Sequence, residues 1–270
     1  IEHVVINSAA REELAHRRGI SSIIIPNVLD FHNPPAINHQ RAQAFIRSID
    51  LNPDDCIILQ PTRIVKRKGI EYAIDLVREL RPLSCKLVIS HQAGDEGFEY
   101  PDWIQEYARD RQVDLRLVQT RIAGPWAGRR NTEEEYSLWD IYPFADFITY
   151  PSRVEGFGNV FVEAVYFKKP ILINRYATFV RDIEPQGFDL VVMDGFLTKK
   201  TIAKVRHILE SVTRREKMVN TNYEIATRHY SYAVLQKQLN SMMIKFFGTQ
   251  VPQHLKKVVR YLTQRIKEDG

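Results

Sequence analysis

The chain has 270 residues, 44% of them hydrophobic, enough to close the core of one large domain with appendages. Lys and Arg number 38 against 33 Asp and Glu, a net charge of +5 with a pI near 9.1, a mild excess that suits anionic substrates or an anionic bilayer surface. No nucleic-acid partner is expected, because no Lys/Arg run is interleaved with aromatics and no zinc-finger or recognition-helix pattern occurs.

In chain order, strands are expected at His3–Asn7, Ser22–Ile25, Cys56–Gln60, Lys86–Ser90, Leu115–Gln119, Phe147–Tyr150, Pro170–Asn174 and Asp189–Val192, separated by amphipathic helical stretches. Such alternation predicts an α/β fold, a Rossmann-like doubly wound parallel sheet covered on both faces. Residues 1–26, with a helix around Arg11–Arg18 between two short strands, read as the tail of a preceding N-terminal α/β domain, and 27–40 as a proline-bearing interdomain linker. No initiator Met opens the chain and too few residues precede the linker for a second doubly wound domain, so the chain is expected to begin mid-protein.

The main domain is expected over 41–247. After Lys199 the pattern turns helical, with Ala203, Val205, Ile208, Leu209 and Val212 at helical spacing, then Met218–Tyr230 and Tyr232–Phe247 as extra C-terminal helices. Pro252 breaks the chain ahead of a basic helix, Leu255–Ile266, in which Lys256, Lys257 and Arg260 alternate with Val258, Val259 and Leu262. Residues 248–270 read best as a helix contacting a partner domain; a weak contact with an anionic membrane is a second reading, and a solvated helix a third.

Cys56 and Cys85 begin two apolar strands without CxxC spacing, which predicts reduced core residues with no redox role in a cytoplasmic protein. The longest apolar stretches, such as Ile23–Pro26 and Phe188–Met193, are too short to span a bilayer, and the N-terminus lacks a leader pattern, so a soluble chain is expected, at most peripheral at a membrane.

Two loops carry the chemistry. Glu155-Gly-Phe-Gly-Asn-Val-Phe-Val-Glu163 runs from an apolar strand into a helix starting near Asn159. Gly156 and Gly158 predict a turn that other residues resist, and the helix start at Asn159 and Val160 presents unpaired N–H groups suited to phosphate. Glu163 lies about one helical turn beyond Asn159, so both carboxylates are expected to face one crevice. The second loop, Pro61-Thr-Arg63-Ile-Val-Lys-Arg-Lys68-Gly69, also follows a strand and precedes a helix, read over 69–80 from the stripe Ile70, Ala73, Ile74, Val77 and Leu80. The planar fork of Arg63 and the point charge of Lys68 suit a diphosphate better than a carboxylate. Taken alone, the first loop is also an ordinary βα turn and the second a solvated basic one. No Asp-x-Asp pair, His-x3-His or other metal-ligand spacing stands out, so no metal and no cofactor are expected.

Together these motifs resemble the C-terminal, donor-nucleotide half of retaining GT-B glycosyltransferases, specifically the large family 4 group. The likeness spans roughly Ile23 to Phe247 by order of elements. Ile24-Ile25-Pro26-Asn27-Val28-Leu29-Asp30 is similar to that family's interdomain segment, with Val28 in place of the usual glycine. Arg63 and Lys68-Gly69 match its diphosphate-binding residues, and Glu155 to Glu163 its Glu-x7-Glu signature. The resemblance implies that Glu155 touches the donor sugar, Glu163 the ribose, and the amides near Asn159 and Val160 the phosphates. Gly69, Gly156, Phe157 and Gly158 shape the donor site, while Arg63 and Lys68 stabilise the departing nucleoside diphosphate. It also implies metal-independent transfer of a hexose from a UDP-, GDP- or ADP-sugar to an acceptor hydroxyl with retention, in a chain that is inactive without the N-terminal domain.

Departures from the family bear on specificity. Asn174-Arg-Tyr-Ala-Thr-Phe-Val-Arg-Asp182 is bulkier and more charged than the usual two-glycine loop, which narrows the sugar or acceptor side. The loop 121–130 carries Trp126 and three arginines able to stack on a base or hold an anionic acceptor, or simply to pack and stay solvated, ahead of a helix expected to carry Glu133–Glu135 and Tyr136. His91, in the stretch 90–94, is ambiguous in the same way. Tyr136-Ser-Leu-Trp-Asp140 and Asp182-Ile-Glu-Pro-Gln-Gly-Phe188 resemble stretches of bacterial enzymes that build mannosyl- or glucosyl-containing glycerate solutes. The expected acceptor is therefore a sugar, a glycerate-type solute or a glycan. A competing reading is a non-catalytic or split-enzyme module that binds the nucleotide sugar and needs a separate acceptor domain.

Overall fold

Side chains on successive strand residues point to opposite faces, and in this chain both faces are apolar. The computed structural model describes residues 2–34, 36–52, 54–90, 99–118, 122–123 and 136–248. His91, Trp126 and its neighbouring arginines, Glu133–Glu135 and the basic helix expected at 255–266 lie outside the described residues.

The chain opens with β1 (His3–Val5), α1 (Ser8–Arg18) and β2 (Ser22–Ile24); β1 and β2 pair in parallel as a separate two-stranded sheet. Asn7 caps α1 by accepting from the Ala10 N–H at 2.7 Å, and Gly19 ends it in the left-handed conformation. After α2 (His39–Ser48) come β3 (Ile57–Gln60), α3 (Ile70–Glu79), β4 (Lys86–Ile89), α4 (Glu99–Asp110) and β5 (Leu115–Leu117). Two-residue strands β6 (Ile122–Ala123) and β7 (Tyr136–Ser137) pair in parallel, followed by α5 (Leu138–Ile141). The expected helix at Tyr136 thus begins two residues later, because Tyr136 and Ser137 are extended to pair with β6.

The chain continues through β8 (Phe147–Tyr150), α6 (Asn159–Tyr166), β9 (Ile171–Asn174), β10 (Val191–Met193), α7 (Lys199–Glu210), α8 (Val212–Tyr230) and α9 (Tyr232–Phe247). The main sheet is parallel, in the order β10-β9-β8-β3-β4-β5. From β3 the chain winds outward through β4 to β5, then returns to β8 on the other side of β3 and winds outward through β9 to β10. The reversal falls between β3 and β8, and open α/β sheets bind ligands beyond the carboxyl ends of their strands at such a point.

Ile57, Leu59, Ile148, Ile171 and Ile173 meet Phe45 and Ile46 of α2, Phe161 and Val165 of α6, and Ala226 and Tyr230 of α8. On the opposite face Ile58, Leu87, Ile89, Phe147 and Leu172 meet Ile70, Ile74 and Val77 of α3, Ile104 of α4, and Val205 and Ile208 of α7. All four residues of β3, β8 and β9 are buried. Each such aliphatic contributes roughly 1.5–3 kcal/mol of burial, so the edge that holds both motif loops rests on the best-anchored strands. Among the described residues no helix is long and apolar enough to cross a membrane.

Candidate nucleotide site at the sheet's switch point

The loop after β3 is more ordered locally than its composition suggests. Lys66–Lys68 form a 3₁₀ turn that ends at Gly69, which has φ 62° and leads directly into α3. A Cβ at Gly69 would stand 2.7 Å from the Pro151 carbonyl oxygen, so this glycine serves both the turn and the close approach of the two loops. The Arg153 N–H donates to the Arg67 carbonyl at 2.9 Å, and Arg67 Nη1 to the Val154 carbonyl at 3.3 Å. The loop after β3 and the loop after β8 are thereby zipped together.

At their meeting point Lys68 Nζ donates to Glu155 Oε1, with Arg67 Nη1 3.8 Å from the same oxygen. Both ends of the Lys68–Glu155 pair are largely buried, each side chain 11% exposed. Burial pushes the Lys68 pKa below its ordinary value; Glu155 opposes that shift, whereas Arg67 and Arg63 add to it. Lys68 also lies 5.7 Å from the centre of the Tyr150 ring. Arg63 itself is exposed at the rim.

Between Glu155 and α6 the expected pair of special glycines resolves into one. Gly158 has φ 109°, and a Cβ there would collide with the Tyr176 hydroxyl, which donates to the Phe157 carbonyl at 2.9 Å. Gly156 does not adopt a positive φ; its carbonyl accepts from Asn7 Nδ2, and a Cβ would only touch Ile6 at 3.7 Å. The correction has a local cause: the chain needs one left-handed residue to enter the helix, and the residue before Asn159 supplies it. Phe157 turns inward, edge-to-face with Tyr230 at 5.4 Å, so its side chain is core and its backbone is what faces the loop. Among the described residues no side chain caps α6, whose first N–H groups are at Asn159 and Val160.

Glu163 lies one helical turn into α6. It accepts a hydrogen bond from the hydroxyl of fully buried Tyr142 at 2.8 Å, and burial raises its pKa above the usual carboxylate value. Both carboxylates push the acidity of the Tyr150 hydroxyl down, after the larger effect of burial, so both act on the same buried ring.

Several contacts around these loops escaped the sequence reading. Asn27, in the Ile-Pro-Asn segment, donates to Asn159 Oδ1, and Asn7 holds Gly156, so the N-terminal segment and the first linker residue touch the loop entering α6. The bulky 174–182 loop also lies here: Thr178 Oγ1 donates to the Glu155 carbonyl at 3.2 Å, Asp182 accepts from the Ser8 N–H at 2.9 Å, and Arg181 pairs with Glu12. Asn174 pins the end of β9 by donating to the Ser152 carbonyl at 3.1 Å and accepting from the Gly195 N–H at 2.9 Å. The side-chain amide of Asn27 sits beside a proline in a linker, where sequence offers only a turn signal.

A parallel sheet with a buried lysine, a rim arginine and a helix start gathered at its switch point defines an α/β domain of the doubly wound class, with its candidate ligand edge at the carboxyl ends of the strands. The chain belongs to the family described as glycosyl transferases group 1, whose match covers residues 42–225, more than half of the chain. It is 40% identical over 209 residues to a mannosylglucosylglycerate synthase of Petrotoga mobilis, covering 71% of this chain and 48% of that one. It is 31% identical over 269 residues to the mannosylglucosylglycerate synthase of Thermotoga maritima, covering 89% of this chain and 60% of that one. The chain thus spans about half to three-fifths of the length of these relatives.

Among solved structures, a glycosyltransferase from Rickettsia africae matches with a TM-score of 0.71 at 13% identity, over 91% of this chain and 63% of that one. Anabaena Alr3699/HepE in complex with UDP and glucose matches with a TM-score of 0.68 at 12% identity, over 88% of this chain and 61% of that one. At such identities the likeness shows the fold, a GT-B-type Rossmann-like domain.

Proposed function

We propose that this chain is the donor-binding half of a retaining glycosyltransferase that moves a hexose from a nucleoside-diphosphate sugar to an acceptor hydroxyl without a metal. The observation that carries the reading is the buried Lys68–Glu155 pair joining the two switch-point loops. A lysine with Arg63 and Arg67 in its surroundings, at the turn leading into α3, is suited to a diphosphate, and the carboxylate beside it to sugar hydroxyls.

In this reading the diphosphate lies across the N–H groups of Asn159 and Val160, over the backbone of Gly156, Phe157 and Gly158, with Gly69 holding the opposite loop. Glu163 accepts from the ribose hydroxyls and Glu155 from the donor sugar. As the bond from the anomeric carbon to the diphosphate oxygen breaks, the electron pair stays on that oxygen, and Arg63 and Lys68 stabilise the growing charge. Lys68 exchanges one anionic partner, Glu155, for another, which frees Glu155 to accept from the sugar. These fixed cations do the work that a divalent metal does elsewhere, so transfer continues in a chelator.

The relatives' name favours a glycerate-linked sugar as acceptor and a mannosyl or glucosyl donor. A second reading is a nucleotide-sugar-binding module that becomes active only with a separate acceptor domain. One assay tests both: incubation with UDP-, GDP- and ADP-hexoses and glucosylglycerate in EDTA, with and without a separately supplied N-terminal domain of such a synthase, reading product by mass and anomeric configuration by proton NMR. The expected product retains the donor's configuration and forms with EDTA present once the acceptor side is supplied. An inverted product, or strict dependence on added metal, would overturn the proposal.

A further inference from the structure

Cys56 and Cys85 stand 29 residues apart in sequence, yet the parallel register of β3 and β4 places them side by side. Ile57 pairs with Lys86, so one residue earlier Cys56 stands opposite Cys85, and the Lys86 N–H donates to the Cys56 carbonyl at 2.8 Å, carrying the ladder down to the pair. Neighbouring strands lie about 4.8 Å apart, within the Cα separations of roughly 4.4–6.8 Å that a disulfide spans. The two Sγ atoms are 2.7 Å apart. Cys85 is buried and Cys56 half-buried, at the sheet edge opposite the candidate nucleotide site.

We propose that Cys56 and Cys85 form a modification site, a dithiol that closes to an intrachain disulfide by exchange with a small disulfide oxidant such as oxidised glutathione, leaving the sheet in register. Cys56, the accessible member, attacks one sulfur of the oxidant as a thiolate, its proton passing to solvent, and releases one glutathione thiolate. Deprotonated Cys85 then attacks the Cys56 sulfur of the mixed disulfide and releases the second. Two electrons pass from the protein to the oxidant, which leaves as two thiols. Contact with the Cys85 sulfur and burial hold the Cys56 pKa far above its ordinary value, so the attacking thiolate is a minor species, exchange is slow and speeds up as pH rises, and without oxidant the pair stays as two thiols. The closed loop contains β3, α3 and the Arg63–Lys68 turn, and cross-linking it constrains the unfolded chain.

The test uses the whole chain, reduced and then treated with oxidised glutathione, so the main comparison needs no variant. Titratable thiols under denaturing conditions should fall from two to none, the intact mass should drop by two hydrogens, and a non-reducing peptide map should join the Cys56 and Cys85 peptides. The Tm should rise by roughly 5–10 °C and return on reduction. The Cys85→Ser variant treated in the same way should stop at a glutathione adduct on Cys56 and show no such rise. Retention of both thiols, only glutathione adducts or interchain dimers in the unmodified chain, or a Tm unchanged or lowered by the cross-link would overturn the proposal.

Discussion

Lys68 is held between opposed demands: burial favours its neutral form and Glu155 its charged form. Removing it costs the candidate site a charge-assisted contact, so Lys68→Ala should weaken nucleotide binding about ten- to a hundredfold by calorimetry. Glu163 makes a pH argument. Its folded pKa lies above the ordinary 4.5, so stability fully present below 4.5 is lost as pH rises through the raised folded value. Glu163→Gln keeps an acceptor for the Tyr142 hydroxyl and removes the buried charge. It should therefore raise Tm at pH 7, with the advantage vanishing below pH 4.5, while weakening nucleotide binding about tenfold. Gly158→Ala should destabilise by about 2–4 kcal/mol, from backbone strain and from the clash with Tyr176. Combining it with Tyr176→Phe, which removes the offending hydroxyl, should cost about 1 kcal/mol less than the sum of the two. Denaturant melts of the three variants check this. Arg63, Lys68 and the two glutamates were legible because charged and glycine residues stand out against apolar strand ends. Tyr142 was not, since its partner lies 21 residues on and an aromatic there reads as core.

Helix α3 was legible from its stripe, since a helix with one buried face repeats its apolar residues at helical spacing. Helix α6 carries no such stripe, because six of its eight residues are buried, and only the glycine before it marked the start. The two-residue strands β6 and β7 are too short for alternation to register, which is why Tyr136 was placed in a helix. The turn after α6 has a titration of its own. Lys169 donates to the Pro143 carbonyl at 2.8 Å, and burial pushes its pKa down to about 8. Between pH 8 and 10.5 the unfolded chain holds a proton that the folded chain has released, so this group makes stability rise with pH across that window. Lys169→Met should raise Tm at pH 7 and lose the advantage as pH approaches 10.5, measured by thermal melts in matched buffers.

On the scale of the whole molecule, two loops separated by some ninety residues of sequence meet because β3 and β8 are neighbours at the reversal of winding. Strand alternation gave the parallel sheet, but strand order is set by packing that no local pattern records. The N-terminal β1–α1–β2 segment and its flanks are tied in through Asn7, Ser8, Glu12 and Asn27, and Lys245 of α9 pairs with Glu2 at 2.5 Å. Val4 and Ile6 of that unit and Ile244, Phe246 and Phe247 of α9 are exposed apolar residues. The central claim, that the switch-point loops bind a nucleoside diphosphate without metal, is tested most directly by calorimetric titration of UDP, GDP and ADP in EDTA into the chain and its Lys68→Ala and Glu163→Ala variants. The account predicts that one nucleotide binds in EDTA and that both substitutions weaken it at least about tenfold. Absence of binding to all three, or binding that neither substitution alters, would contradict it.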